Sequence, residues 1–313
     1  MVADAGIPTH TIFRPKDLSA FGDRVKLPIL AWGNGGCANS PGAHQNYLSE
    51  IASHGFLIVA IGPLPAAGGG RGGGGGAGGG APAATGAPGG NSQMLDAINW
   101  AVAQNADSAS RYKGKLDVSK IAVFGHSCGG LQALEVSGDP RVSTTIVVDS
   151  GILNAGAAPG GAGAGRGAPG AAPAARGAAP AGAAPAGAPP AGPAPGARAG
   201  GGGGGGMPPL TKEHLTKLHA PVFYLLGGET DIAYANGMDD FKRIEKIPVF
   251  VANKGVGHGG TFSQPHGSDW AMASVAWLKW QLKGDAEAGK MFTGNPPGLA
   301  KIEGWTVDKK NIP

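Results

Sequence analysis

The sequence predicts an α/β protein: a mostly parallel central sheet covered by helices on both faces. Two observations carry that expectation. Apolar runs of strand length alternate along the chain with segments whose apolar residues recur at helical spacing. The large Gly and Pro content, 60 and 26 of 313 residues, is concentrated in residues 64–91 and 155–206, so roughly 230 residues of ordinary composition remain, enough for one packed α/β domain.

The elements follow in chain order. Residues 9–14 alternate weakly and read as an early antiparallel strand. Residues 27–32, Leu-Pro-Ile-Leu-Ala-Trp, form a buried strand that runs into Gly33-Asn34-Gly35-Gly36, a tight loop. Tyr47, Leu48, Ile51 and Ala52 make a helical stripe closed by Gly55. Residues 56–61 are the next buried strand. Met94, Leu95, Ile98, Ala101 and Val102 mark an amphipathic helix. Strands follow at 121–124, 145–149, 222–226 and 249–251, with a helix over 131–136 after the first of them. Residues 268–282 close the domain as a helix, whose Trp270, Trp277 and Trp280 read as core bulk rather than a cofactor box.

Composition excludes several classes of function. The two Gly/Ala/Pro segments offer too little apolar area to offset the roughly 1–2 kcal/mol of backbone entropy lost per ordered residue, so they read as flexible insertions. Collagen is excluded because glycine does not recur strictly at every third position. The net charge is +4, and Arg71, Arg166, Arg176 and Arg198 in the insertions account for all of it. The remainder is formally neutral and carries no basic footprint for nucleic acid. No apolar run reaches the length of a membrane span. The first residues lack the pattern of a secretory leader, which reads as an intracellular protein or as one whose leader has been removed, and Cys37 and Cys128 bear on the compartment without settling it alone. Their pairing would favour export, and two buried free thiols would favour the cytoplasm.

Residues 125–129, Gly-His-Ser-Cys-Gly, carry the chemical signal. With a strand entering and a helix leaving, Ser127 would sit on a sharp turn that exposes its hydroxyl, and the flanking glycines relieve the crowding there. A serine hydroxyl needs a base. His258, in the glycine-rich loop 255–260 beyond the last buried strand, fits that role. Asp231, just past the strand at 222–226, would fix the histidine tautomer in the order Ser, Asp, His. Asp149, at the end of the preceding strand, competes for the same role, while Glu229 caps or faces solvent. The backbone N–H groups of Gly36, Cys37 and Cys128 are the candidate oxyanion donors.

These motifs resemble those of the α/β-hydrolase superfamily, and are similar to its dienelactone hydrolase and polyester-hydrolase-like esterases. The resemblance runs from Leu27 to Leu282 and rests on Gly-His-Ser-Cys-Gly-Gly, the Asp231 segment and Gly-His258-Gly-Gly. It implies the α/β-hydrolase fold and a serine carboxylic ester hydrolase that works through an acyl-enzyme, on small-molecule or polymeric esters, with neither metal nor cofactor. Dienelactone hydrolases proper carry Cys where this chain has Ser127, and both insertions fall where such enzymes shape the substrate entrance. The rival readings are a thioesterase or peptidase on the same fold, and a non-catalytic binding protein that keeps it. The histidines give no metal pattern: Glu213, His214 and His219 read as an exposed helix, and His44, His54 and His266 lack paired ligand spacing. The glycine-rich stretch 68–80 lacks the strand, Lys and helix of a phosphate loop, and no dinucleotide fingerprint occurs.

Overall fold

The computed structural model describes residues 1–64, 91–154 and 210–313. The insertion at 155–206, and that at 64–91 apart from its two end residues, lie outside the described residues.

Strands β1 (His10–Phe13) and β2 (Leu27–Gly33), helix α1 (Gln45–Ser53) and strand β3 (Leu57–Ile61) open the fold. Helix α2 (Asn91–Ala106), strand β4 (Leu116–His126), helix α3 (Cys128–Val136) and strand β5 (Val142–Val148) follow. After the second insertion come β6 (Val222–Leu226), α4 (Tyr234–Arg243), β7 (Val249–Lys254), α5 (Ser268–Lys283), α6 (Ala286–Gly289) and β8 (Trp305–Lys310). The strands form one eight-stranded sheet in the order β1-β3-β2-β4-β5-β6-β7-β8. The six inner strands are parallel, and β1 and β8 close the two edges antiparallel.

Alternation along each strand builds the two faces. In β2, Leu30 and Trp32 point into the layer shared with α1 and α5, with Phe124, Phe223, Trp270 and Trp277. Ile29 and Ala31 point the other way, against Met94, Ala97 and Ile98 of α2. Farther along that second face, Tyr224, Leu226 and Val251 pack under Phe241 of α4. Both faces being apolar explains why the inner strands read as continuous hydrophobic runs. Trp270 and Trp277 are fully buried and Trp280 stacks on Phe292, so this cluster is core.

Several boundaries differ from the sequence reading. β4 begins at Leu116, ahead of a register shift at Ile121, and β5 begins at Val142. α3 starts at Cys128, three residues before its first apolar residue. Lys212–Lys217 is a 3-10 helix rather than an α-helix, and the exposed His219 lies beyond it. α4 and β8 had no counterpart in the sequence reading. α4 matters to the architecture because the buried Asp240 accepts hydrogen bonds from the Ile152 N–H (2.8 Å) and from Lys212 Nζ (2.7 Å). The points where the chain leaves the sheet after β5 and returns before β6 are thereby clamped to one helix. Burial pushes the Asp240 carboxyl up to about 6, against the pull of Lys212.

Candidate active site

Parallel strands place the ends of β2, β4, β5, β6 and β7 on one edge of the sheet, and every candidate site residue follows one of those ends. Ser127 comes directly after β4 with φ 53° and ψ −117°, a conformation that costs a non-glycine residue about 1–3 kcal/mol. The turn is held from both sides. The Ser127 N–H donates to the Val148 carbonyl (2.9 Å), and the Ser127 carbonyl accepts from Ser150 Oγ (2.7 Å) and the Gly130 N–H (2.9 Å). Its tightness dictates the neighbours. A Cβ on Gly125 would collide with the Gly129 carbonyl, and one on Gly129 would collide with the Gly33 carbonyl.

The imidazole of His258 reaches this hydroxyl. His258 Nε2 lies 2.9 Å from Ser127 Oγ, and His258 Nδ1 lies 2.7 Å from Asp231 Oδ1. Asp231 in turn accepts from the Ala233 N–H (2.9 Å) and the Gly227 N–H (3.3 Å). Burial alone would push the Asp231 carboxyl up. The hydrogen bonds from His258, the Ala233 N–H and Asp149 outweigh it and hold the group below the usual carboxylate range. Asp231 thus stays ionised and accepts the Nδ1 proton of His258, which leaves Nε2 as a lone pair facing the hydroxyl.

Asp149 is not the partner of His258. Its side chain is fully buried, with Trp270 Nε1 donating to Oδ2 at 3.3 Å and φ at 44°. Its Oδ1 has no donor among the described residues. Burial, and then the Asp231 charge beside it, push this carboxyl well above its ordinary value, against hydrogen bonds from Trp270 and the Gly227 N–H. Two buried carboxyls this close resist ionising together, and Asp149 is the one of the pair whose carboxyl is raised. Glu229 is exposed.

Gly36 and Cys37 lie in a 3-10 turn after β2, with φ of 61° and 49°. Asn34 fixes the turn: its Oδ1 accepts from Trp32 Nε1 (2.8 Å), and its Nδ2 donates to the carbonyls of Ala38 (2.8 Å) and Ile61 (2.7 Å). Cys128 opens α3, so its N–H has no acceptor inside the helix. Cys37 and Cys128 form a disulfide with their Cα atoms 5.2 Å apart. The alternative of two buried free thiols is thereby corrected: the bond joins an exposed residue to a half-buried one. It ties the turn after β2 to the start of α3, so the three candidate donors, the N–H groups of Gly36, Cys37 and Cys128, belong to one cross-linked unit.

Two residues at this edge carried no signal in the sequence. His44 lacks paired ligand spacing and His126 is one residue of the turn motif with no role of its own in the sequence, yet the two rings are hydrogen-bonded (3.1 Å), His126 lying against His258. Their contact joins positions 82 apart, beyond the reach of any local pattern. Among the described residues, no group of three or more His, Cys, Asp or Glu is placed to hold a metal, and no helix is long and apolar enough to cross a membrane. No protein-family model matches the chain, and no curated protein matches it.

Proposed function

We propose that this protein is a serine carboxylic ester hydrolase of the α/β-hydrolase fold, similar to the dienelactone hydrolase and polyester-hydrolase-like branch. The observation that carries the reading is the continuous hydrogen-bonded chain from Ser127 through His258 to Asp231, with the serine on a strained turn between β4 and α3. Ser127 Oγ attacks the ester carbonyl while His258 Nε2 takes its proton. Asp231 stabilises the imidazolium without taking a proton itself. The N–H of Cys128, with those of Gly36 and Cys37, holds the oxyanion. Collapse of the tetrahedral intermediate expels the alcohol, which takes the proton from His258 and leaves an acyl-serine. Water, deprotonated by His258, then releases the acid and restores Ser127.

Exposed apolar side chains next to the triad residues in the chain support an apolar ester substrate, small or polymeric. Ile232 is 69% exposed beside Asp231, and Val256 is exposed two residues before His258. The disulfide supports an oxidising compartment. A chain-length series of nitrophenyl esters, run beside thioesters, peptides and polymeric esters, tests the assignment. Wild-type protein should turn over oxygen esters fastest, and Ser127→Ala should lower kcat about 10⁴-fold or more while remaining folded. Folded Ser127→Ala that kept more than a few per cent of the activity would refute the mechanism. Absence of turnover on every ester would favour a non-catalytic binding protein.

A further inference from the structure

His258 is one of three imidazoles in contact at this sheet edge. His126 Nε2 lies 2.8 Å from the main-chain carbonyl oxygen of His258, and His126 Nδ1 lies 3.1 Å from His44 Nε2. A carbonyl can only accept, so His126 carries its proton on Nε2. Burial lowers His126 to about 4 and His44 to about 3, so each ring is neutral at pH 7 and carries one proton. His126 Nδ1 is therefore a lone pair, and His44 must donate to it from Nε2. The far nitrogen, His44 Nδ1, is then a buried lone pair, and it has no partner among the described residues. The tautomer of each ring follows from the one before it.

Each ring comes from a different part of the chain. His44 ends the 3-10 turn Gly42–His44, which follows the loop bearing Gly36 and Cys37. His126 is the last residue of β4, and His258 lies beyond β7. Phe262 packs against both His44 and His126, with ring centroids 4.8 Å away in each case. The turn after β2 closes on His126 so tightly that a Cβ on Gly35 would collide with Nδ1. The loop of His258 needs such a hold. It runs Gly255-Val256-Gly257-His258-Gly259-Gly260, with φ of 74° at Gly257 and 50° at Gly260, so its own sequence restrains the backbone little.

We propose that His126 and His44 are positioning residues: His126 Nε2–H holds the main chain of His258, and His44 Nε2–H holds His126, fixing the base against the loop that supplies the oxyanion donors. This rests on the ester-hydrolase reading for its kinetic consequence and on the hydrogen-bond geometry for its structural one, and the two are tested separately.

His126→Met keeps much of the ring's volume and removes both hydrogen bonds, whereas His126→Gln offers an amide donor to the His258 carbonyl and an acceptor to His44. On a small nitrophenyl ester, His126→Met should lower kcat about 10- to 100-fold with KM within about twofold, and His126→Gln should recover most of that loss. His44→Leu should have the smaller effect of a residue acting through another, about 3- to 10-fold on kcat. His126→Met with kcat within twofold of wild type, or His126→Gln as impaired as His126→Met, would overturn the proposal. ¹H–¹⁵N long-range correlation spectra of the wild-type imidazoles at pH 7 provide a readout that requires neither a folded variant nor turnover. Both His126 and His44 should be neutral Nε2–H tautomers, and an Nδ1–H tautomer at His126 would sink the idea even if ester hydrolysis were established.

Discussion

Reduction of the Cys37–Cys128 disulfide perturbs both stability and the proposed oxyanion site, and its size can be worked from the chain. The cross-link closes a loop with a sequence separation of 91. In the chain-entropy model a closure of that length removes about 15.5 cal/mol/K from the unfolded ensemble, or about 4.6 kcal/mol at 25 °C. For a domain of about 150–250 residues each kcal/mol shifts Tm by about 2–4 °C, so reduction should lower Tm by roughly 9–18 °C. Cys37 is exposed, so a small reductant can reach the bond in the folded protein. The assay is thermal unfolding with and without reductant, with thiols counted by alkylation and intact mass.

A second consequence is local. Cys37 keeps a φ of 49°, which a non-glycine residue abandons when nothing holds it there. Reduced protein assayed well below its own Tm should therefore lose kcat about 10- to 100-fold, up to the cost of one oxyanion donor, with little change in KM. The Cys37→Ala/Cys128→Ala double variant should behave like the reduced protein. Fully reduced, mass-verified protein that melted within about 2 °C of the oxidised form would refute the constraint argument. Unchanged kcat in that sample would separate the bond from donor placement.

Asp231→Asn should cost about 10⁴-fold in kcat, because an amide in place of the carboxylate favours the wrong His258 tautomer. Asp149→Asn should cost less than about tenfold, since His258 Nδ1 pairs with Asp231 and not with Asp149, and the opposite ranking would make Asp149 the triad acid. The raised Asp149 carboxyl also sets a sign for stability against pH. Above the ordinary carboxylate value of 3.8 the unfolded chain has lost a proton that the folded chain retains. This group therefore lowers stability as pH rises, by up to about 1.4 kcal/mol per pH unit, until its folded pKa is passed. Urea midpoints measured across that range should fall more steeply with pH in wild type than in Asp149→Asn, and parallel curves would show that Asp149 is not protonated. Ser127→Gly should melt about 2–4 °C above Ser127→Ala, because both abolish the hydroxyl while only glycine accepts φ 53° and ψ −117° freely; equal melting temperatures would mean that the turn is unstrained.

The inner strands were legible because burial on two faces leaves a continuous apolar run that no solvent-exposed segment imitates. The turn at Ser127 was legible for a steric reason: Gly125 and Gly129 stand where any Cβ would meet backbone. β8 was not, since its sequence, Trp-Thr-Val-Asp-Lys-Lys, is that of an exposed edge strand, where charge discourages further pairing. α4 was obscured by Gly237 and the adjacent Asp239 and Asp240, which read as surface. Asp240 is instead fully buried, and its partners Lys212 and Tyr224 lie 28 and 16 positions away. The same limit applies to Asp149. Local sequence put it at a strand end equivalent to that of Asp231, and only the three-dimensional surroundings raise one carboxyl and lower the other.

The strained positions add a constraint that the hydrogen bonds alone do not express. Among the described residues, six non-glycine residues have positive φ. Three of them, Cys37, Ser127 and Asp149, follow the ends of β2, β4 and β5, which are consecutive neighbours in the sheet. Conformations of this kind persist only where the surroundings over-determine them. Here the Ser127 N–H is bonded to Val148, the residue before Asp149, and the Asp149 N–H to Leu225 (2.8 Å), while the disulfide ties Cys37 to the residue after Ser127. Each strained residue is thus held, directly or through a chain neighbour, by the next strand across the sheet. All three strands are paired on both sides, so none can slide to relieve its own end without breaking two ladders. The parallel arrangement therefore places the proposed nucleophile, the proposed oxyanion loop and the buried Asp149 on the same edge, and it is also what holds their backbones in place.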